Sequence, residues 1–266
     1  MSRIADTFAR LRTQQRKALI PFVTAGDPGL DSTVPVMHAL VEAGADVIEL
    51  GVPFSDPMAD GPTIQRSSER ALALGGGLRH VLQVVGQFRA HDAHTPVVLM
   101  GYLNPVEIHG TERFAREAVA AGVDGVLLVD LPPEEAAETR EIFTRHGLDL
   151  IALASPTTTP QRQEMLCATA QGYLYYVSFA GVTGASDRLD TQAAGRKLKA
   201  IREGTSVPVV AGFGIKDAAS AKAMAVDADG VVVGSALVAA LEAAGEGRAA
   251  EAAAQFLAPL RQALDG

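Results

Sequence analysis

Two acidic residues occupy positions where a carboxylate could act as a catalytic acid or base. Glu49 lies inside the apolar run Val47-Ile48-Glu49-Leu50, where a charged side chain is costly unless it is hydrogen-bonded or functional. Asp60 follows in a loop that is rich in proline and glycine. Either residue could move protons in a reaction, but Glu49 could instead form a buried ion pair and Asp60 could hydrogen-bond a turn.

Glycine-rich turns form a second group of candidate residues, because they follow the last three strands that the sequence predicts. Two of them, after predicted strands 7 and 8, lie where barrels commonly bind phosphate. Glycine lets backbone N–H groups approach an anion closely, and a helix N-terminus adds a favourable field. Each motif alone could be a tight turn, whereas together they favour a phosphate site. The motifs are Phe179-Ala180-Gly181-Val182-Thr183-Gly184-Ala185, Ala211-Gly212-Phe213-Gly214 and Gly234-Ser235.

Residue types that serve covalent or metal catalysis are scarce at the predicted strand ends. Of five lysines only Lys216 lies near a strand end, so the sequence offers no desolvated position for a Schiff-base lysine. The six histidines fall on predicted helices or loops, and Cys167 is the single cysteine. A metal site and a disulfide framework are therefore not expected. The sequence predicts carboxylate acid–base chemistry without a metal ion or a covalent intermediate.

Short apolar runs and longer helical segments alternate along the chain and would position these residues. Most of the runs lack polar alternation, which is typical of parallel strands covered on both faces. The runs cover residues 18–24, 47–50, 97–101, 125–129, 150–153, 174–177, 207–211 and 231–233. Helical periodicity covers residues 30–43, 78–90, 112–121, 133–146, 191–202 and 235–264, with glycines interrupting the last segment.

The spacing of the strand ends predicts one large α/β domain. A right-handed βα unit needs roughly 20 to 30 residues, and most intervals between strand ends supply one unit. Longer intervals after the second and sixth strands predict insertions. We therefore predict a single (β/α)8, or TIM, barrel over residues 1–266, with an extra N-terminal helix that carries Ile4, Phe8 and Leu11. An open doubly wound sheet is the alternative, but the first turn lacks a dinucleotide-binding fingerprint.

Composition and charge exclude several classes of protein. The chain has 266 residues, 48% of them hydrophobic, which is enough for a sizeable core. Its net charge of −8 argues against a general nucleic-acid or membrane-surface binder. No apolar run approaches the ~18 residues of a membrane span, and the N-terminus lacks the apolar core of a signal peptide. A cytoplasmic protein that binds neither nucleic acid nor membrane is expected.

Motifs from the first predicted strand to the last form a recognisable pattern. They are Pro21-Phe22-Val23-Thr24-Ala25-Gly26-Asp27-Pro28, Glu49-Leu50-Gly51-Val52-Pro53-Phe54-Ser55-Asp56-Pro57, Ala59-Asp60-Gly61-Pro62, Gly101-Tyr102-Leu103-Asn104-Pro105, Asp130-Leu131-Pro132-Pro133-Glu134-Glu135, Gly181-Val182-Thr183-Gly184, Gly212-Phe213-Gly214-Ile215 and Gly234-Ser235-Ala236. This pattern resembles the alpha chain family of tryptophan synthase over nearly the whole chain, and the motif at strand 2 is the most specific part.

The resemblance implies a carbon–carbon lyase. That family cleaves indole-3-glycerol phosphate into indole and D-glyceraldehyde 3-phosphate by a retro-aldol reaction. It implies that Glu49 is the acid and base that moves the protons, and that Asp60 accepts the indole N–H and stabilises the cationic intermediate. It further implies a beta-chain partner in an α2β2 complex, which receives the indole. Pyridoxal phosphate is expected only in that partner, and no cofactor is expected in this chain.

The resemblance also assigns candidate residues to three surfaces. The substrate-binding candidates are Phe22, Met100, Tyr102, Val129, Leu153, Tyr175 and Thr183, the last of which would orient Asp60 when a lid after strand 6 closes. The phosphate-binding candidates are Gly184, Phe213, Gly214, Gly234 and Ser235. The candidates for the partner interface are Pro53, Phe54, Asp56, Pro57 and Asn104. Position 179 departs from the pattern, because it is Phe where relatives often carry Arg in the lid.

Two other classes of function are weighed against this interpretation. Another phosphosugar barrel, such as indoleglycerol-phosphate synthase or a ribulose-phosphate epimerase, would need a catalytic strand-end lysine or metal-binding histidines, and the sequence predicts neither. A catalytically weak homologue could instead act only as a binding or regulatory subunit. The presence of Glu49, Asp60, Thr183 and Gly184 argues against that second alternative.

Overall fold

Nine parallel strands form the barrel that the sequence predicts. The computed structural model describes residues 2–177, 191–212 and 214–266, with only the backbone described for 191–194. The strands are β1 (Ala18–Thr24), β2 (Ile48–Gly51), β3 (Val97–Gly101), β4 (Gly125–Leu128), β5 (Asp149–Leu150), β6 (Ala152–Ala154), β7 (Leu174–Val177), β8 (Val209–Gly212) and β9 (Gly230–Val233). Their order around the sheet is β5-β4-β3-β2-β1-β9-β8-β7-β6, so both ends of the sheet meet at β5 and β6.

The two ends of the sheet meet at the fifth predicted strand, which is divided into β5 and β6. Asp149 and Leu150 pair with β4, whereas Ala152–Ala154 pairs with β7. Between them, the backbone N–H of Ile151 donates a hydrogen bond to the Val126 carbonyl at 2.9 Å. The sequence predicts one strand here, and the structure shows that this strand changes its partner at Ile151.

Twelve α-helices lie within the described residues, and they surround the strands. They are α1 (Arg3–Thr13), α2 (Thr33–Glu42), α3 (Pro62–Ala73), α4 (Leu78–Arg89), α5 (Leu103–His109), α6 (Thr111–Ala121), α7 (Ala137–His146), α8 (Pro160–Thr169), α9 (Thr191–Gly204), α10 (Ala218–Ala225), α11 (Ser235–Ala244) and α12 (Ala249–Asp265). None of these helices is long and apolar enough to cross a membrane.

The predicted N-terminal helix is present and closes one end of the barrel. Ser2 caps α1, because its hydroxyl accepts a hydrogen bond from the Ala5 N–H at 3.3 Å. Ile4, Phe8 and Leu11 are buried and pack into the interior of the barrel. This end holds the starts of the strands, so the opposite end remains available for a site.

The insertion predicted after strand 2 contains helix α3, which is fixed to the first strand by polar contacts. The hydroxyl groups of Thr24 and Ser67 lie 2.6 Å apart, and both are buried. Arg70 donates two hydrogen bonds to the Asp27 carboxylate at 2.7 and 2.9 Å, and a third to Glu242 of α11 at 2.7 Å. These contacts fix the middle and the last turn of α3 to the first strand and to the turn that follows it. The other predicted insertion falls mainly on residues 178–190, which lie outside the described residues.

Candidate active site

A cavity of about 530 Å³ lies at the carboxyl ends of the strands, where barrels carry their active sites. Both predicted catalytic carboxylates, Glu49 and Asp60, line it. So do most of the predicted residues of the substrate wall and of the phosphate site, namely Phe22, Met100, Val129, Leu153, Tyr175, Gly214, Gly234 and Ser235. Three further predicted residues, Thr183, Gly184 and Phe213, lie outside the described residues, as does Phe179.

Glu49 is fully buried at the base of this cavity. Its Oε1 accepts a hydrogen bond from the Tyr173 hydroxyl at 2.6 Å, and its Oε2 has no hydrogen-bond partner among the described residues. Burial raises the pKa of Glu49 from 4.5 to about 7, while the Tyr173 hydrogen bond opposes that rise. A carboxyl group with a pKa near neutrality can both give and accept a proton, which is what general acid–base catalysis requires.

The contact with Tyr173 predicts a shift in the pH dependence of the reaction. Tyr173→Phe removes a hydrogen bond that stabilises the ionised form of Glu49, so the pKa of Glu49 should rise further. We expect the limb of the kcat/KM profile that belongs to Glu49 to move upward by about one pH unit. Tyr176→Phe is the matched control, since Tyr176 is equally buried but packs against the outer helices. If the two variants had the same pH profile of kcat/KM, Tyr173 would not control the pKa of Glu49.

Asp60 is half-buried and is held by its own loop. Its backbone N–H donates to the Pro57 carbonyl at 3.0 Å, and its carbonyl accepts from the Gln65 side chain at 2.8 Å. Burial raises the pKa of the Asp60 carboxyl to about 6, and a hydrogen bond with Tyr102 opposes the rise. Near neutral pH, Asp60 is therefore mostly ionised while Glu49 is partly protonated, so the two carboxyl groups are suited to different tasks.

Tyr102 lines a small cavity that adjoins the main one and shares Phe22 and Asp60 with it, so its place in the substrate wall stays a prediction. Its hydroxyl accepts a hydrogen bond from the Ala59 N–H at 3.0 Å, and its ring packs against Phe54 with centroids 5.2 Å apart. Burial and the nearby Asp60 carboxylate raise the pKa of Tyr102. The structure therefore places Tyr102 beside the Asp60 loop, where its hydroxyl group supports that loop.

Two glycines allow aromatic side chains to reach the cavity wall. A Cβ atom at Gly212 would overlap the Tyr175 ring, and a Cβ atom at Gly51 would overlap the Phe22 ring. Both aromatic residues line the cavity and are almost fully buried. Because these rings pack closely against glycines of the neighbouring strands, they form apolar walls suited to a planar ligand.

The glycine-rich end of the cavity exposes backbone donors. Gly234 precedes α11, and no side chain caps that helix, so the N–H groups of its first turn have no side-chain acceptor. Gly214, in the preceding loop, has a φ of +55°, a conformation that residues with a side chain rarely adopt. Uncapped N–H groups at a helix N-terminus favour an anion.

The predicted interface residues lie in the loop after β2 and, for Asn104, at the start of α5, with varied exposure. Asp56 and Asn104 are exposed, Phe54 and Pro57 are half-buried, and Pro53 is buried. Next to them, two large apolar side chains that the sequence did not single out are strongly exposed: Met58 at 80% and Ile108 at 81%. Met58 directly follows Pro57 and Ile108 lies on α5 with Asn104, so both belong to the segments that carry the predicted interface.

Several lining residues are not predicted from the sequence. Ile64, Val177, Ile215 and Val232 complete the apolar wall, and Lys216 lies on it as well. Val177 could have been found from strand periodicity, because it lies two residues beyond Tyr175 and faces the same side. Within residues 2–177, 191–212 and 214–266, no group of three His, Cys, Asp or Glu side chains is placed to hold a metal ion.

The barrel and its mouth together define a class of protein. Parallel strands, each followed by helices, enclose a carboxyl-end cavity with two carboxyl groups of raised pKa, which is the arrangement of a (β/α)8-barrel enzyme. The family model described as "Tryptophan synthase alpha chain" matches residues 8–264. This chain belongs to the tryptophan synthase alpha chain family.

Individual relatives agree with this family over the full length. A tryptophan synthase alpha chain from Xanthomonas euvesicatoria pv. vesicatoria is 77% identical, and the match covers 100% of this chain and 99% of the relative. The crystal structure of tryptophan synthase subunit alpha from Legionella pneumophila has a TM-score of 0.93 and 46% identity, covering 100% and 99% of the two chains. A chain of the tryptophan synthase complex from Pyrococcus furiosus has a TM-score of 0.84 and 38% identity, covering 92% and 98%.

Proposed function

We propose that this chain cleaves indole-3-glycerol phosphate into indole and D-glyceraldehyde 3-phosphate, with Glu49 and Asp60 as its catalytic residues. One observation carries the proposal: a single cavity holds both carboxyl groups, flat aromatic walls and a glycine-lined end with uncapped N–H groups. These three features suit the reacting carbon, the indole ring and the phosphate group of that substrate.

Glu49 moves the protons of the cleavage. The bond between indole C3 and the glycerol chain breaks when C3 gains a proton and the neighbouring hydroxyl group loses one. The electrons of the broken bond return to the indole ring, and the hydroxyl-bearing carbon becomes the aldehyde carbon. Because its pKa is about 7, Glu49 can donate the first proton and accept the second without leaving its buried position.

Asp60 stabilises the charge that forms on the ring. A proton on C3 leaves positive charge near the indole nitrogen, and a carboxylate that accepts the N–H hydrogen bond offsets that charge. Asp60 has a pKa of about 6, so it is ionised at the pH at which Glu49 still carries its proton. The hydrogen bond from Ala59 to Tyr102 fixes the loop, so Asp60 meets the ring without a large rearrangement.

The phosphate group binds at the glycine-lined end. Backbone N–H groups of Gly214, Gly234 and Ser235 contact its oxygens, and Phe213 and Gly184 belong to the same proposed set. The α11 N-terminus contributes a favourable field for the anion. Thr183 is proposed to orient Asp60 when the lid after β7 closes. Phe22, Met100, Val129, Leu153 and Tyr175 enclose the indole ring.

A tryptophan synthase beta chain is the proposed partner. The chain docks on it through the loop that carries Pro53, Phe54, Asp56 and Pro57, together with Asn104 on α5, and the exposed Met58 and Ile108 extend this surface. The proposed assembly is an α2β2 complex in the cytoplasm, with pyridoxal phosphate in the beta chain and no cofactor in this chain. The indole then passes to the beta chain for tryptophan synthesis.

The proposed function is tested by assaying the purified chain with indole-3-glycerol phosphate, alone and with a purified beta chain. We expect indole and D-glyceraldehyde 3-phosphate in equal amounts, at a rate that increases when the beta chain is present. Circular dichroism of the same preparation shows whether the chain is folded. A folded chain that forms no indole under either condition would overturn the proposal and favour a purely regulatory subunit.

A further inference from the structure

Lys216 is a cation on the wall of the active-site cavity, and neither proposed proton transfer uses it. It follows β8 in the same loop as Gly214 and lines the cavity together with Glu49 and Asp60. The residue is exposed to solvent, whereas Glu49 is fully buried. Among the described lining residues, Lys216 is the only Lys, Arg or His.

The backbone of Lys216 is fixed by a hydrogen bond, whereas its ammonium group forms no ion pair within 4.0 Å with any described side chain. The Lys216 N–H donates to the Ser220 hydroxyl at 3.1 Å, at the start of α10. The neighbouring Asp217 carboxylate accepts from the Ser220 N–H at 2.8 Å and from the Ser220 hydroxyl at 2.7 Å, so it caps the helix. None of the ion pairs between described side chains includes Lys216.

The cavity carries both acidic and basic side chains. Glu49 and Asp60 supply its acidic groups, and Lys216 supplies its positive charge beside the glycine-lined turn. A phosphate monoester carries about −1.5 to −2 charges at pH 7, and the ionised Asp60 carboxylate repels it. Backbone N–H groups give such an anion its hydrogen bonds, but a full positive charge adds attraction that N–H groups lack.

We infer that the Lys216 ammonium group binds the phosphate group of the substrate, as a substrate-contacting residue beyond the backbone site. The inference rests on the proposed function for the identity of the substrate. On this inference the phosphate binds beside Lys216 and the glycine-lined turn, and the indole ring lies beside Glu49 and Asp60.

The test compares Lys216→Gln with Lys222→Gln, which removes the same charge from the exposed face of α10 outside the described cavity lining. For Lys216→Gln we expect KM for indole-3-glycerol phosphate to rise about three- to tenfold, with kcat within about twofold of the unmodified chain. Lys222→Gln should leave both constants unchanged. The difference in KM should shrink as salt concentration rises, because salt screens an exposed charge. Lys216→Arg should restore most of the lost affinity.

A second measurement separates this inference from the proposed function. Binding of inorganic phosphate to the unmodified chain and to both variants is measured without turnover, and binding of indole, which is uncharged, serves as a further reference. Weaker phosphate binding in Lys216→Gln alone, with unchanged indole binding, supports the ammonium contact even if the chain cleaves no indole-3-glycerol phosphate. Equal phosphate affinity and equal KM in the two glutamine variants would overturn the contact while leaving the proposed cleavage intact.

Discussion

Glu49→Gln is expected to reduce kcat for indole formation by about 10²- to 10⁴-fold, the range that a positioned acid–base group contributes. Glutamine keeps the size of the side chain and can still accept the hydrogen bond from Tyr173 through its amide oxygen. It cannot donate a proton to indole C3 or accept one from the hydroxyl group. Steady-state indole formation measures the loss, and KM should change little because the substrate contacts remain.

The same variant should be more stable than the unmodified chain above neutral pH. The folded pKa of Glu49 is about 7 and its ordinary value is 4.5, so the folded state holds the proton more tightly. The free energy of unfolding therefore falls as pH rises from about 4.5 to about 7, and the lost part stays lost at higher pH. Glutamine carries no such charge, so Glu49→Gln should gain ~1–3 kcal/mol at pH 8 and almost nothing near pH 4.

Thermal unfolding across this pH range checks the gain, and it also shows that the loss of turnover is not a loss of folding. Glu164→Gln, on the exposed face of α8, is the matched control and should change neither stability nor kcat. If Glu49→Gln kept close to full turnover, the assignment of proton transfer to this residue would be wrong. If the stability of Glu49→Gln and of the unmodified chain depended on pH in the same way, the raised pKa of Glu49 would be wrong instead.

Much of the fold could be predicted because burial on both faces leaves a plain signal in the sequence. Strands such as Ala18–Thr24 and Val97–Gly101 have the predicted bounds, since every residue in them is buried or nearly so. The helix α3 gave no such signal, because its buried face consists of the small residues Ser67, Ser68 and Ala71. The division at Ile151 could not be predicted either, since it depends on which neighbours the strand meets in the closed barrel.

In the active site too, local features could be predicted from the sequence, whereas contacts between distant residues could not. Glu49 and Asp60 could be found from the sequence because a charged residue in a buried strand and an acid in the following loop stand out locally. The Tyr173 contact with Glu49 could not, because it joins residues 124 positions apart, one in β2 and the other just before β7, and these two strands do not pair. The hydrogen bond that the Tyr102 hydroxyl accepts from Ala59 could not be predicted either, because it joins residues 43 positions apart.

Asp60→Asn is expected to have an effect of similar size, with a reduction in kcat of about 10²- to 10⁴-fold. The reason differs from that for Glu49. Asparagine should preserve the conformation of the loop, because residue 60 contacts Pro57 and Gln65 only through its own backbone atoms. Its amide oxygen can still accept the indole N–H, but it carries no charge to offset the cationic ring. Single-turnover indole formation measures this step directly.

The pH dependence separates loss of the charge from loss of position. The pKa of Asp60 is about 6, so the rate of the unmodified chain should fall as pH drops below about 6 and the carboxylate gains a proton. The residual rate of Asp60→Asn should lack that acid limb, because the amide does not titrate. Asp56→Asn, on the same loop but exposed, should keep both the rate and the limb when assayed without the beta chain. An acid limb that persisted unchanged in Asp60→Asn would mean that another group titrates there, and that Asp60 acts through its shape rather than its charge.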